Sequence, residues 1–187
     1  AAIIERKKIK QCPRKYRKRF LVVNDSLKAI QKAAVEKRKE MHIPFIAITG
    51  SNGKTTTKKF VKKICESAFT VGSTIGNWNN HLGLPLSILR MSEKTQCAVV
   101  EMGANHKGEI NTLSKIVSPD VAIITNVDFA HIGMFGSLDN IAETKFEIVN
   151  GMTKKKGYLF VNGDDKRLIK KASGWGSQVI YFGFSSR

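Results

Sequence analysis

The segment Gly50–Thr57 has the composition of a phosphate-binding loop. It reads GSNGKTTT, follows an apolar run and precedes a helical pattern. Glycines let successive backbone N–H groups turn toward an anion, and a helix N-terminus adds the positive end of its dipole. In such a loop Lys54 reaches the β- and γ-phosphates and the Thr55 hydroxyl binds Mg²⁺. The standard pattern has a glycine five residues before the Gly-Lys pair, where this chain has Ile48, so the loop is anchored at Gly50 instead.

Polar residues that a packed core would not select follow three further apolar runs. Glu101 ends CAVVE, where a carboxylate beside such a loop gives Mg²⁺ a second support; a structural salt bridge is the alternative. His131 follows VAIITNVDFA, and Lys145 lies near the apolar stripe of a helix, where lysines usually extend to solvent. Asn79 and Asn80 belong to the loop GNWNNHLG, whose amides suit phosphate recognition but are also common in turns.

Apolar runs alternate with amphipathic helical patterns along most of the chain, which predicts an α/β fold. The six runs are IPFIAI, FTVGST, CAVVEM, VAIITNV, YLFVN and QVIYFGF. The apolar helix faces are Phe60/Val61/Ile64/Ala68, Ile110/Leu113/Val117 and Leu138/Ile141/Ala142/Ile148. Continuous apolar strands between helices indicate a mostly parallel sheet with helices on both faces. Ligands of such sheets bind beyond the carboxyl ends of the strands.

The charge of the chain is strongly positive, with a net +17 and a pI near 10.0. Residues 1–40 hold 14 Lys or Arg against four Asp or Glu, and we interpret them as a basic linker and inter-domain helix left from a preceding domain. Within them, Leu27, Ile30 and Ala34 share a helix face. Residues 41–187 are predicted to form the α/β domain. The charge favours nucleic acid or phosphorylated substrates as partners, with a solvated lysine-rich surface as the alternative.

The chain has no apolar run of the roughly 18 residues that span a bilayer, which predicts no membrane association. Its three cysteines are scattered and never form a C-x-x-C pair. This argues for reduced thiols in a cytoplasmic protein rather than for a disulfide framework or a zinc site.

Four motifs in this order resemble the central, P-loop NTPase-like ATP-binding domain of the Mur ligase family. They are TGSNGKTTTK, GNWNNHLGLPLSIL, VVEMGANHKGEI and TNVDFAHIGMFGSLDNIAETKFEI. The resemblance covers about residues 20–183, and VVNDSLKAIQKAAVEKRK is similar to the family's inter-domain helix. In this family the anchoring glycine stands three residues before the second one, as Gly50 does before Gly53.

The resemblance implies a set of ligand contacts. The residues that would bind ATP are Gly50, Ser51, Asn52, Gly53, Lys54, Thr55, Thr56, Asn79 and Asn80. The residues implied in catalysis are Lys54, Glu101, His131 and Lys145. Thr55 and Glu101 would hold one Mg²⁺ and His131 a second. Lys145 would be carbamylated by CO₂, and its new carboxylate would help to place that second metal ion.

The implied reaction is that of an ATP-dependent acid–amino-acid ligase of peptidoglycan precursor synthesis, which serves cell wall biogenesis. The γ-phosphoryl group would pass to the carboxylate of a UDP-N-acetylmuramoyl-tripeptide, and the amine of D-alanyl-D-alanine would attack the resulting acyl phosphate. Ligases of this family have three domains and this chain resembles only the middle one, so we expect it to be inactive alone.

Two other interpretations remain open from the sequence. The first is a Mur-ligase-like domain without ligase activity that serves as a basic, RNA-binding scaffold through its N-terminal segment. The second is another member of the same fold, such as a folylpolyglutamate synthase.

Overall fold

A computed structural model describes residues 2–129, 132–152, 157–175 and 178–184 of the chain. The strands are β1 (Ala2–Glu5), β2 (Phe20–Val23), β3 (Phe45–Thr49), β4 (Val71–Ser73), β5 (Cys97–Glu101), β6 (Val121–Ile124), β7 (Tyr158–Asn162) and β8 (Val179–Phe182). The α-helices are α1 (Ser26–Glu40), α2 (Lys54–Cys65), α3 (Gly83–Leu89), α4 (Glu109–Val117), α5 (Ile132–Phe135), α6 (Leu138–Phe146) and α7 (Lys166–Ala172). Short 3₁₀ helices are Arg6–Gln11, Arg14–Arg19 and Glu147–Gly151.

The main sheet has six strands in the order β4-β5-β3-β6-β7-β8, and every pairing is parallel. All five residues of β5 are buried, as expected for a strand covered on both faces. The six apolar runs of the sequence correspond to these six strands, so the predicted α/β fold with a mostly parallel sheet is confirmed. No helix in the described ranges is long and apolar enough to cross a membrane.

Two of the predicted apolar helix faces are buried as expected. In α4, Ile110, Leu113 and Val117 are fully buried, and in α6 the same holds for Ile141 and Ala142. These residues belong to the hydrophobic core, where α4 contacts β3 and α6 contacts α4 and α7. They share one side of each helix because side chains three and four positions apart lie together.

The apolar face predicted for α2 was wrong. Phe60 and Ile64 are 67% and 71% exposed, whereas Lys58 is only 5% exposed. The helix turns its Lys54–Lys58 side toward β5 because that strand ends in Glu101, which forms an ion pair with Lys58. The buried side of α2 is therefore the side that carries this ion pair, and not the predicted apolar face.

The N-terminal segment contains more regular structure than its sequence indicated. β1 and β2 form a separate parallel pair, in register from Ala2 with Phe20 to Glu5 with Val23, and two 3₁₀ helices connect them. Helix α1 then packs on α3 and α4, with Ala34 in the core. The proposed domain boundary after residue 40 stays a prediction.

Candidate functional site

The loop between β3 and α2 requires glycine at its first position. Gly50 has φ +149°, and a Cβ built there would lie 1.9 Å from the Thr125 hydroxyl oxygen. Gly53 adopts the left-handed conformation, φ +78°, at the N-cap of α2. The Thr125 hydroxyl donates a hydrogen bond to the Asn52 carbonyl (2.7 Å) and so fixes the loop to the end of β6.

Asn126 and Asp128, which follow β6, also form hydrogen bonds with this loop. The Asn52 amide N–H donates to the Asn126 side-chain oxygen, and the Asn52 side chain donates to the Asp128 carboxylate, both at 2.8 Å. Ser51 bonds to the Asn126 carbonyl and to the backbone of Asp128. Asn126 and Asp128 were missed from the sequence, although they follow the strand that neighbours β3. These contacts fix the loop to the segment that follows β6.

Lys54, the first residue of α2, folds back over this loop. Its ammonium donates to the carbonyl oxygens of Gly50 and Ser51, each at 2.8 Å. An ammonium has three N–H groups, so two serve the loop and the third is left for a ligand. Burial lowers the pKa of Lys54, and the nearby charge of Glu101 partly offsets that effect.

The start of α2 presents backbone donors beside Lys54. The first backbone hydrogen bond of the helix runs from the Thr57 amide to the Gly53 carbonyl, 2.8 Å. The amides of residues 54–56 precede it and have no partner within the helix, as at any helix N-terminus. The exposed Thr56 lies in this first turn. The arrangement matches an anion-binding site.

Glu101 lies at the carboxyl end of β5 and is 1% exposed. One of its carboxylate oxygens accepts from the Thr55 hydroxyl at 2.9 Å, and the other accepts from the Asn79 amide at 2.8 Å. Three residues predicted for the site therefore meet at one point, although 22 and 46 positions of chain separate Asn79 and Thr55 from Glu101.

Lys58 also meets this carboxylate and was missed from the sequence. Its ammonium lies 3.2 Å from the Glu101 oxygen that Thr55 contacts, and both side chains are almost fully buried. The salt bridge considered for Glu101 thus exists together with the Thr55 contact. The signal in the sequence was the spacing of four between Lys54 and Lys58, which places both lysines on one side of a helix.

A cavity of about 300 Å³ opens beside Lys54 at the ends of the strands. Its lining residues are Lys54, Asn79, Asn80, His81, Gly103, Ala104, Asn105, Glu109 and Lys145. The cavity joins the loop, the Asn-rich segment and α6, and two of its lining residues are lysines. This combination favours an anionic ligand.

Lys145 is 3% exposed, contrary to the usual extension of lysine to solvent. Its ammonium lies 5.7 Å from the centre of the Phe135 ring. Burial, followed by the positive charge of Lys54, lowers the pKa of Lys145 to about 8, and Glu109 and Glu147 counteract part of that shift. About a tenth of this amine is therefore uncharged at pH 7, far more than for an ordinary lysine.

Asn80 and His131 were also predicted to belong to the site. The Asn80 side-chain oxygen accepts from the amides of Leu82 and Gly83, so it caps the start of α3, while the residue also lines the cavity. His131 lies outside the described residues. The roles of both toward ligands stay predictions.

Comparison with known proteins gives a consistent family. The family described as "Mur ligase middle domain" matches residues 48–187. The chain is 45% identical over 148 residues to the UDP-N-acetylmuramoyl-tripeptide–D-alanyl-D-alanine ligase of Bacillus subtilis (strain 168), covering 79% of the chain and 32% of that relative.

Solved structures show the same similarity. A crystal structure of MurF from Acinetobacter baumannii superposes with a TM-score of 0.83 at 38% identity, over 89% of this chain and 37% of that one. The MurF ligase of Thermotoga maritima in complex with ADP has a TM-score of 0.83 at 35% identity, over 90% and 39% of the two chains. The chain therefore spans about a third of the length of the curated relative that it matches.

Proposed function

Because the chain belongs to the Mur ligase family and its residues 48–187 match the middle domain, we propose that it is the ATP-binding part of an amide ligase. The ligase would join D-alanyl-D-alanine to a UDP-N-acetylmuramoyl-tripeptide, as the names of its relatives indicate for them. We expect it to do so in the cytoplasm. The observation that carries the proposal is the 2.9 Å contact between Thr55 and Glu101, beside Lys54 and the helix N-terminus. This contact places two oxygen ligands for a nucleotide-bound cation, the Thr55 hydroxyl and the Glu101 carboxylate, next to the donors that would bind phosphate.

ATP phosphates would lie against the first turn of α2. The amides of residues 54–56 and the remaining N–H of Lys54 supply donors there, and Ser51, Asn52 and Gly53 keep the loop open around them. Lys54 brings a positive charge to the edge of the adjoining cavity, which supports binding of the γ-phosphate at that end. The ADP complex of the Thermotoga maritima relative is consistent with this assignment.

The residues at this point fit Mg²⁺. The Thr55 hydroxyl and the Glu101 carboxylate are hard oxygen donors next to each other, the type that Mg²⁺ prefers. An Mg²⁺ ion held by these two protein oxygens would take its other ligands from phosphate and water. When bound, Mg²⁺ would neutralise phosphate charge, while Thr55 and Glu101 orient the phosphates through it.

Lys145 is proposed to carry a carbamate. The neutral amine adds to the carbon of CO₂ and loses one proton to solvent, which leaves an N-linked carboxylate of charge −1. A lysine that is 3% exposed with a pKa of about 8 supplies that neutral amine. The product would place an oxygen donor in the cavity, where an ammonium cannot bind a cation. With His131, it would support the second Mg²⁺ that the family resemblance implies.

In the whole ligase, these residues would act mainly through positioning and charge. Lys54 and the loop would hold the γ-phosphoryl group, and Asn79 and Asn80 would lie between it and the acyl carboxylate. Transfer gives an acyl phosphate, and attack by the D-alanyl-D-alanine amine then releases phosphate. Since the chain spans about a third of the curated relative, we expect it to bind nucleotide without forming the amide.

Calorimetry with ADP tests the nucleotide site on the 187-residue chain. We expect binding that Mg²⁺ strengthens, and a loss of at least tenfold in affinity in Lys54→Ala. Lys59→Ala is the matched control, because Lys59 is an exposed lysine of the same helix. Equal affinity of Lys54→Ala and the wild type would remove the assignment.

Nuclear magnetic resonance with ¹³C-labelled bicarbonate tests the carbamate. We expect a carbamate carbon resonance that Lys145→Met abolishes and that Lys107→Met, at an exposed lysine, retains. A spectrum without a resonance specific to Lys145 would refute the modification and leave the nucleotide site unaffected.

The other interpretations receive less support. Relatives between 34% and 45% identical are named as UDP-N-acetylmuramoyl-tripeptide–D-alanyl-D-alanine ligases, which disfavours a folylpolyglutamate synthase. The comparisons do not support nucleic acid as a partner, and RNA binding by the basic segment Arg6–Arg19 stays an untested alternative.

A further inference from the structure

Lys58 is unusual because a charged side chain of α2 is buried while apolar side chains of the same helix are exposed. The Lys58 side chain is 6% exposed and that of Glu101 is 2% exposed. Removing two charges from water costs free energy that one ion pair often does not recover. A buried pair at this position therefore points to a role beyond stability.

The contacts of Lys58 use the whole capacity of its ammonium. It lies 2.7 Å from the Gly76 carbonyl, 3.3 Å from the Thr74 carbonyl and 3.2 Å from the Glu101 carboxylate. These three acceptors match the three N–H groups of an ammonium. Unlike Lys54, Lys58 retains no N–H for a phosphate.

The same contacts connect two parts of the site. Gly76 and Thr74 belong to the segment after β4 that leads to Asn79, and Asn79 itself donates to Glu101. The Thr74 hydroxyl accepts from the Glu101 backbone amide at 3.1 Å. Lys58 thus closes a ring of hydrogen bonds that runs from the helix through the strand end to the Asn-rich loop.

We propose that Lys58 is a positioning residue that holds the Glu101 carboxylate and the 74–79 segment in the arrangement needed to bind the Mg²⁺–nucleotide. This inference rests on the proposed function of Glu101 as a magnesium ligand. Lys58 restricts the carboxylate to one orientation, with one oxygen toward Thr55 and the other toward Asn79. It does so without touching the nucleotide.

The test compares ADP affinity with and without Mg²⁺ in the 187-residue chain. Lys58→Met is expected to reduce the strengthening by Mg²⁺ at least tenfold while ADP affinity in EDTA changes less than twofold. Lys59→Met, one residue along on the exposed side, should change neither value. Lys58→Gln keeps a donor and should show an intermediate loss.

A double-mutant cycle shows whether Lys58 acts through Glu101. If it does, adding Lys58→Met to Glu101→Gln produces no further loss of the Mg²⁺ effect, because the carboxylate is already neutralised. Independent, additive losses would overturn the inference.

A measurement on the unmodified chain keeps the inference testable if these variants fail to fold. In ¹H–¹⁵N spectra of lysine ammonium groups, the Lys58 resonance should be protected from water and should shift when Mg²⁺ joins ADP. An unchanged resonance would overturn the inference even if Mg²⁺ strengthens ADP binding. If Mg²⁺ leaves ADP affinity of the wild type unchanged, the magnesium site fails first and this inference fails with it.

Discussion

Helix α2 has two faces whose burial contradicts their polarity. Its inner face carries Lys54 and the buried Lys58, and its outer face carries Phe60 and Ile64, which are more than two-thirds exposed. The inner face meets the strand end that bears Glu101, whereas the outer face meets no comparable partner within the described residues. The difference shows that a charged partner supplied by a distant strand can outweigh apolar periodicity in orienting a helix.

Two ion pairs of α2 provide the sharpest version of this comparison. Lys58–Glu101 is buried, and Lys62–Glu66 has side chains 38% and 36% exposed. We expect Glu101→Gln to lower the free energy of unfolding by about 3–5 kcal/mol, because it leaves a buried ammonium without its counter-charge. Glu66→Gln should cost about 0.5 kcal/mol. Urea unfolding at pH 7 measures both, and similar losses would contradict the comparison.

Substitution of the two glycines in the loop before α2 should lower the stability of the chain by unequal amounts. We expect Gly50→Ala to destabilise the chain by about 3 kcal/mol, because its Cβ would overlap the Thr125 hydroxyl. Gly53→Ala should cost about 1 kcal/mol, since only its left-handed backbone opposes a side chain. Thermal unfolding followed by circular dichroism compares them. A Gly53 variant less stable than the Gly50 variant would show that the loop is anchored elsewhere.

Lys145 is a second buried lysine, but its charged neighbour is the cation Lys54, whereas Lys58 has the carboxylate of Glu101. Its native pKa of about 8 lies below the unfolded value of about 10.4, so between these values the unfolded chain binds more protons. Stability contributed by this position therefore rises with pH from about 8 to 10.4, by up to about 1.4 kcal/mol per pH unit.

Urea unfolding of Lys145→Met in CO₂-free buffer tests this. The variant should gain stability relative to the wild type at pH 7, and the gain should shrink as pH rises through that window. A difference that is constant from pH 7 to pH 10.4 would show that the native pKa is not lowered.

The outer face of α2 should give the smallest effects. Phe60→Ser and Ile64→Ser are expected to change the free energy of unfolding of the 187-residue chain by no more than about 0.5 kcal/mol, since both side chains are already exposed. Val61→Ala, at a half-buried neighbour, should cost about 1 kcal/mol. If Phe60→Ser costs more than Val61→Ala in urea unfolding, the helix is oriented differently from the structure.

The features that could be predicted from the sequence are those that depend on neighbouring residues. The six strands, the buried stripe of α4 and the loop at Gly50 follow from periodicity, glycine placement and flanking elements, which neighbouring residues determine. The burial of Lys58 depends on Glu101, more than 40 residues away, so no local pattern contains it. The same holds for Asn126 and Asp128, which fix the loop from the adjacent strand. Lys145 was found through family resemblance, and its burial contradicts the usual behaviour of lysine.

The central claim is that the inner side of α2 and its preceding loop bind nucleotide phosphates. Titration of ¹⁵N-labelled chain with Mg²⁺ and ADP, followed through backbone amide shifts, compares both faces in one molecule. We predict the largest shifts at residues 50–57 and around Glu101, with the amides of Phe60, Ile64 and Phe69 nearly unchanged. Shifts centred on Phe60–Phe69, with the loop unaffected, would contradict the claim.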